Sequence, residues 1–176
     1  MSPTGRAASQ SSAAGGRPAR GPVEFVTRDL LARLANTSSK SPRLRTNHNF
    51  HDARDPYQRL LNVVQPDAYI QPHRHRDPGK SETFVVLSGE IAFFHFDEHG
   101  RVLTARRLGP QRDALAVDMQ PGVWHCIVAL TRDCVIFEGK NGPYDPATDK
   151  EFAAWAPAEG DGAAPEYMRR LLAQAE

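Results

Sequence analysis

Two histidines one residue apart, His73 and His75, open the segment Pro72-His73-Arg74-His75-Arg76-Asp77-Pro78-Gly79-Lys80-Ser81-Glu82. Side chains on a β-strand alternate between its faces, so both imidazoles would share one face and Arg74 would take the other. A loop rich in Pro, Gly and Asp then delivers the carboxylate of Glu82, and Thr83-Phe84-Val85-Val86-Leu87-Ser88-Gly89 continues as an apolar run of strand type. A second island, Met119-Gln120-Pro121-Gly122-Val123-Trp124-His125, adds a third imidazole. Three imidazoles and one carboxylate from two hairpins suit one borderline divalent transition metal, with iron, manganese, nickel and zinc all open. An octahedral ion held at these four positions keeps two more for water or substrate. On the strand that carries His125, Ile127 and Ala129 share its face, whereas Trp124 and Cys126 point the other way.

The rest of the chain must supply strands to hold these groups. Gln58 to Val64, Tyr69 to His75, Glu82 to Ser88, Ile91 to Phe96, Val102 to Leu108, Ala114 to Met119, Val123 to Leu130 and Cys134 to Lys140 are short, apolar and divided by turn residues. Such regular spacing argues for a sandwich or barrel. Asp55-Pro56 reads locally as a helix start, which competes with a strand from Gln58. Ahead of the strands, Thr27 caps a helix whose Leu30, Leu31 and Leu34 fall on one face, and Asn36 through Pro42 ends it. Arg43, Arg45, Asn47, His48 and His51 fall within nine residues. That run is a solvated loop or edge strand, or a lining for the mouth of a metal cavity. Glu166 to Ala175 has helical composition, with Tyr167, Leu171 and Leu172 on one side. Phe84, Phe93, Phe94, Phe96 and Trp124 are core candidates, and His51, His95 and His99 are ordinary hydrogen-bonded histidines.

The order His-x-His, Glu, six residues to Gly89, then Pro121-Gly-x-x-His125 resembles the two motifs of the cupin superfamily. Arg43-Leu-Arg-Thr-Asn-His48, Pro72-His-Arg-His75, Pro121-Gly-Val-Trp-His125 and Gly142-Pro-Tyr-Asp-Pro146 resemble, more closely, the WbuC family of cupin-fold metalloproteins. The resemblance covers roughly residues 26 to 160. It implies an all-β, cupin-type double-stranded β-helix, a jelly-roll barrel, with a short N-terminal and a short C-terminal helix. It also implies His73, His75, Glu82 and His125 as metal ligands, a homodimer, and a link to bacterial surface-polysaccharide metabolism. Two departures stand out. Six residues separate His75 from Glu82, which makes Glu82 the least secure ligand, and Ala129 stands where the second motif often has Asn.

The chain has 176 residues, enough for one domain with a core. Its expected division is a disordered tail over 1–22, a cupin domain over 23–160 and a helical C-terminus over 161–176. A net charge of +1 implies no bulk attraction to nucleic acid or membrane. No apolar run reaches the roughly 18 residues of a membrane span, and no secretory pattern opens the chain, so a cytoplasmic protein is expected. Cys126 and Cys134 are then reduced thiols. Function divides three ways. A metal-dependent enzyme would use Arg43, Arg45, His48, Arg59 and Lys80 to hold an anionic small molecule such as a sugar phosphate, sugar nucleotide or carboxylate. A binding or sensor module would use the same cavity without turnover. A metal-independent sugar epimerase of cupin type would need a His and a Tyr, and not the full ligand set.

Overall fold

The computed structural model describes residues 22–76 and 78–175, so the expected tail over 1–22 lies outside it apart from Pro22. The elements run α1 (Arg28–Lys40), β1 (Arg45–Asn49), β2 (Tyr57–Val64), β3 (His73–Arg74), β4 (Glu82–Ser88), β5 (Ile91–Phe96), β6 (Val102–Leu108), β7 (Ala116–Met119), β8 (Trp124–Ala129), β9 (Cys134–Asn141), β10 (Glu151–Phe152) and α2 (Ala164–Leu172). They form two five-stranded sheets, ordered β1-β2-β9-β4-β7 and β10-β3-β8-β5-β6, and every strand pairing is antiparallel. The hydrogen bonding thus leaves two separate antiparallel sheets, a cupin-like β-sandwich in keeping with the expected jelly roll, and no closed barrel forms among the described strands.

Strand alternation sorts the side chains into three apolar clusters. Between the sheets lie Val64, Phe84, Val86, Ile91, Phe93, Ile127 and Ile136 with their neighbours. Residues of opposite parity on β2 and β9, Leu61, Val63 and Val135, pack outward against Leu30, Leu31 and Leu34 of α1. Residues of opposite parity on β5 and β8, Phe94, Phe96, Trp124, Cys126 and Val128, pack outward against Ala153, Ala156 and the Met168 and Leu171 face of α2. Each helix therefore closes the outer face of one sheet, and the space between the sheets is left for chemistry.

Thr27 caps α1 by accepting from the Leu30 amide at 3.2 Å. The helix ends at Lys40, within the expected stop over Asn36 to Pro42, and Thr37, Ser38 and Ser39 donate their hydroxyls to carbonyls three or four residues back, at 2.9–3.1 Å. Bonded in this way, those side chains do not compete with the helical ladder. Over Tyr57–Val64 the strand prevails against the local Asp-Pro helix signal, because β2 is paired along its full length with β9. The strand expected over Tyr69–His75 shrinks to His73–Arg74. Carbonyls ahead of it accept from elsewhere: Tyr69 from the Arg45 guanidinium at 2.7 Å, and Pro72 from the Ala153 amide at 2.9 Å. Arg43–His51, open between loop and edge strand, contains β1 at the edge of its sheet.

Tight turns hold the hairpins. Gly89 has φ +78° between β4 and β5, and a Cβ there would meet Cys134 Sγ and Thr131 Oγ1 at 2.7 Å. Only glycine fits both the conformation and the space.

Candidate metal centre

His73 sits on β3, His125 opposite it on β8, His75 just beyond β3, and Glu82 begins β4 on the facing sheet. All four are buried, and one ligand-type atom from each can be chosen so that the set lies within 4.8 Å of one another. Glu82 Oε2 is 3.0 Å from His125 Nε2 and 3.3 Å from His75 Nε2. All three of these atoms nevertheless lack a properly directed hydrogen bond. Buried polar atoms are rarely left so, and here they converge instead of pairing.

The other ring nitrogens explain the convergence. Nδ1 of His73 donates to Gln71 O at 3.0 Å, Nδ1 of His125 to Val123 O at 3.0 Å, and Nδ1 of His75 to Asp149 O. A carbonyl can only accept, so each imidazole carries its proton on Nδ1 and turns a bare Nε2 inward. The donor set therefore fits a divalent transition metal: three neutral nitrogens and one carboxylate, with their orientations fixed by the backbone.

The long spacer before Glu82 does not separate the ligands. Arg76 bridges Gly79, and the amides of Lys80 (3.4 Å) and Gly122 (3.0 Å) both reach His75 O, so the loop folds back and stitches the two motifs together. Burial, then the charge of Lys150, then His125, press His73 well below the ordinary histidine value, which keeps its nitrogen free for a metal.

A second buried set surrounds the four. Asp149 accepts from Lys80 Nζ at 2.9 Å and from Lys140 Nζ at 3.1 Å. Glu138, which accepts from Asn62 and lies 3.6 Å from Lys140 Nζ, is pushed up to about 8 by burial and then by the charge of Glu82. No sequence motif marks Glu138, Lys140, Asp149 or Lys150. The alternation of β9 against Val135 and Phe137 was the available signal for the first two.

A cavity of about 630 Å³ opens beside the cluster, lined among others by His73, Glu82, His125, Gln58, Glu138 and Lys150. The five expected anion-binding residues are scattered about it. Arg43 and Arg45 line the cavity, and both are engaged by Glu159, Arg43 at 2.8 and 3.1 Å. His48 has the opposite parity to Arg45 on β1 and turns away to Glu24, at 2.6 Å. Arg59 has the opposite parity to Gln58 on β2 and bonds Phe50 O at 3.2 Å. Lys80 is only 3% exposed and is consumed by Asp149 and Pro143 O. The structure does not bring these five together. Arg74 leaves the cavity as expected, but not for solvent: it lies 4.1 Å over the Trp124 ring between Glu98 and Glu151.

Cys126 and Cys134 are free, buried, and in different apolar clusters. Burial pushes the Cys126 thiol up, away from the reactive thiolate. Protein alkylated at lysis and then denatured should show two thiols, and the native protein should react slowly. A count below two would reveal oxidation that the structure does not hold.

A cupin-like sandwich around a buried three-histidine, one-carboxylate group is what fold and site define together. Comparison with solved structures agrees on the fold. An oxalate oxidase in complex with the substrate analogue glycolate superposes with a TM-score of 0.50 at 12% identity, over 76% of this chain and 68% of that one. KdgF from Halomonas sp. gives 0.46 at 18% identity, over 58% and 82%. CapF, the capsular polysaccharide assembling protein from Staphylococcus aureus, gives 0.47 at 25% identity, and the match spans 60% of this chain and 31% of CapF. A family model described as a domain of unknown function, DUF6016, matches residues 26–108. No curated protein matches the sequence. Among the described residues no helix is long and apolar enough to cross a membrane.

Proposed function

We propose that the chain is a mononuclear metal-binding cupin of the WbuC type, with His73, His75, Glu82 and His125 as ligands. In this reading the cavity beside them takes a small oxyanionic molecule, a sugar phosphate, sugar nucleotide or carboxylate, as an enzyme's substrate. The observation that carries the metal is the set of three Nδ1-to-carbonyl hydrogen bonds, which leaves three Nε2 atoms bare around one carboxylate. A structural histidine cluster would gain nothing from aiming its acceptors at one another. A bound divalent ion would supply Lewis acidity toward a ligand oxygen. The chain's own contribution is to orient that ligand and to limit water, with Glu138 facing the same cavity.

Support for the WbuC type comes from the four sequence motifs, and support for an anionic ligand from the basic side chains of the cavity. A homodimer belongs to the same reading, and light scattering should give twice the chain mass. The test of the metal is elemental analysis of protein purified without added metal, then reloaded with iron, manganese, nickel or zinc. About one ion per chain is expected from a single four-ligand site. A chain that binds none of the four would overturn the reading. Turnover of an anion that binds would separate an enzyme from a sensor.

A further inference from the structure

One charged group in the cavity is left over. Lys150 lines the cavity and is exposed to solvent, and its ammonium makes no hydrogen bond or ion pair with any described residue. Its neighbours on both sides are fixed. Asp149 is held by Lys80 and Lys140, and Glu151 belongs to β10 and pairs with Arg74 at 2.9 Å. The backbone between two such anchors has little freedom. Lys150 lines the same cavity as His73, Glu82 and His125. A cation beside a metal-binding cluster opposes the metal's own charge, so it does not serve metal binding.

Gln58 is the second unmatched group. It is 2% exposed, sits on the cavity face of β2 opposite Lys140, and its Nε2 has no hydrogen-bond partner. A buried amide donor without an acceptor is costly, and such groups mark an absent partner. Both unmatched groups are donors. A ligand that satisfied the buried Gln58 amide and also met the solvated Lys150 ammonium would be rich in acceptors and negatively charged. The arginines at the rim do not compete for it, because Glu159 already fills them.

We infer that Lys150, with the Gln58 amide, is the seat for the carboxylate or phosphate of the cavity's ligand. The seat deepens the function proposed above and rests on that reading for its use, since a ligand held there presents its remaining oxygens toward the metal ligands. The anion is gripped inside the cavity beside His73 and not at the basic rim.

The test is titration of inorganic phosphate and of malonate into wild-type protein, K150M, K150R and Q58L, each in chelator-stripped and metal-loaded form, with bound metal counted separately. K150M should weaken binding about tenfold or more, as loss of a charge-assisted hydrogen bond does. K150R should stay within about threefold of wild type, because the charge is kept, and Q58L should weaken binding severalfold. Metal content should not change in any variant. K150M is not expected to unfold, because no described residue loses an ion pair, and Q58L gives an independent measurement if it does. Equal anion affinity in wild type and K150M, or no anion binding by wild type, overturns the inference, while one metal per chain would leave the metal reading standing. Anion binding lost in K150M in a protein that holds no metal would sustain the seat and sink the metal site.

Discussion

Replacing His75 with alanine should empty the metal centre. His73→Ala and His125→Ala should do the same, with stoichiometry falling from about one ion per chain to near none. Loss of an outer-shell partner alone typically costs about 10–100-fold in metal affinity, and loss of a ligand costs more. Glu82→Ala, expected from its long spacer to be the mildest, should be as severe as the others. Its Oε2 lies 3.0 and 3.3 Å from two of the three bare nitrogens, and it brings the only negative charge of the four. The fold should survive each change, because the apolar cluster between the sheets does not depend on these side chains. Metal analysis of the four purified variants, with circular dichroism as a check on folding, decides the matter. Wild-type metal content in any of them removes that residue from the site.

Asp149→Ala should cost the most stability of any single polar replacement near the site, about 3–5 kcal/mol in urea unfolding at neutral pH. The change strips the carboxylate from the buried Lys80 ammonium, 3% exposed, and takes the nearest one from Lys140, 5% exposed, which keeps Glu138 at 3.6 Å and Glu82 at 4.0 Å. Breaking a buried pair by removing one member carries a cost of that size, because the charge left behind has neither water nor a counter-ion. His75 should keep its tautomer, since it uses the Asp149 carbonyl and not the carboxylate. Acid should reveal the same residue. Burial alone would raise the Asp149 carboxyl, but Lys140 and Lys80 outweigh burial and hold it below the ordinary value. A carboxyl lowered in the folded state stabilises fully above its unfolded value of about 3.9, and that contribution is lost as pH falls through the lowered folded value. Wild-type protein should therefore lose more stability than the variant on acidification below about pH 4. A variant within about 1 kcal/mol of wild type at neutral pH would show that Lys80 and Lys140 find other partners.

The four convergent residues were legible because ligand chemistry leaves type and spacing in the sequence. His-x-His needs period two, and a Pro-Gly turn must set His125 across from His73. The strands around them were legible from the same alternation, and α1 from Thr27 and its leucines. The electrostatic surroundings were not. Lys80 looked like a free cation in a loop, but Asp149, its negative partner among the described residues, is 69 positions away in sequence. Nothing local foretells that encounter. His48 and Arg59 were misplaced for a more instructive reason: their types were noted without their parity. Arg45 and Gln58, one strand residue off in phase, face the cavity.

The sheet β1-β2-β9-β4-β7 acts as a partition between two compartments. Along β2 and β9, Leu61, Val63 and Val135 face the helix-covered apolar side, and Gln58, Asn62, Glu138 and Lys140, of opposite parity, face the cavity. Gln58, Asn62, Glu138 and Lys140 therefore form a register of exchangeable positions whose replacement leaves Leu61, Val63 and Val135 untouched. Such a wall lets a lineage retune what the cavity accepts one residue at a time, without renegotiating the contacts that keep the sheet and its helix together. A single-residue insertion within β9 would instead trade the two compartments' contents, so chain length there is under far tighter constraint than residue identity.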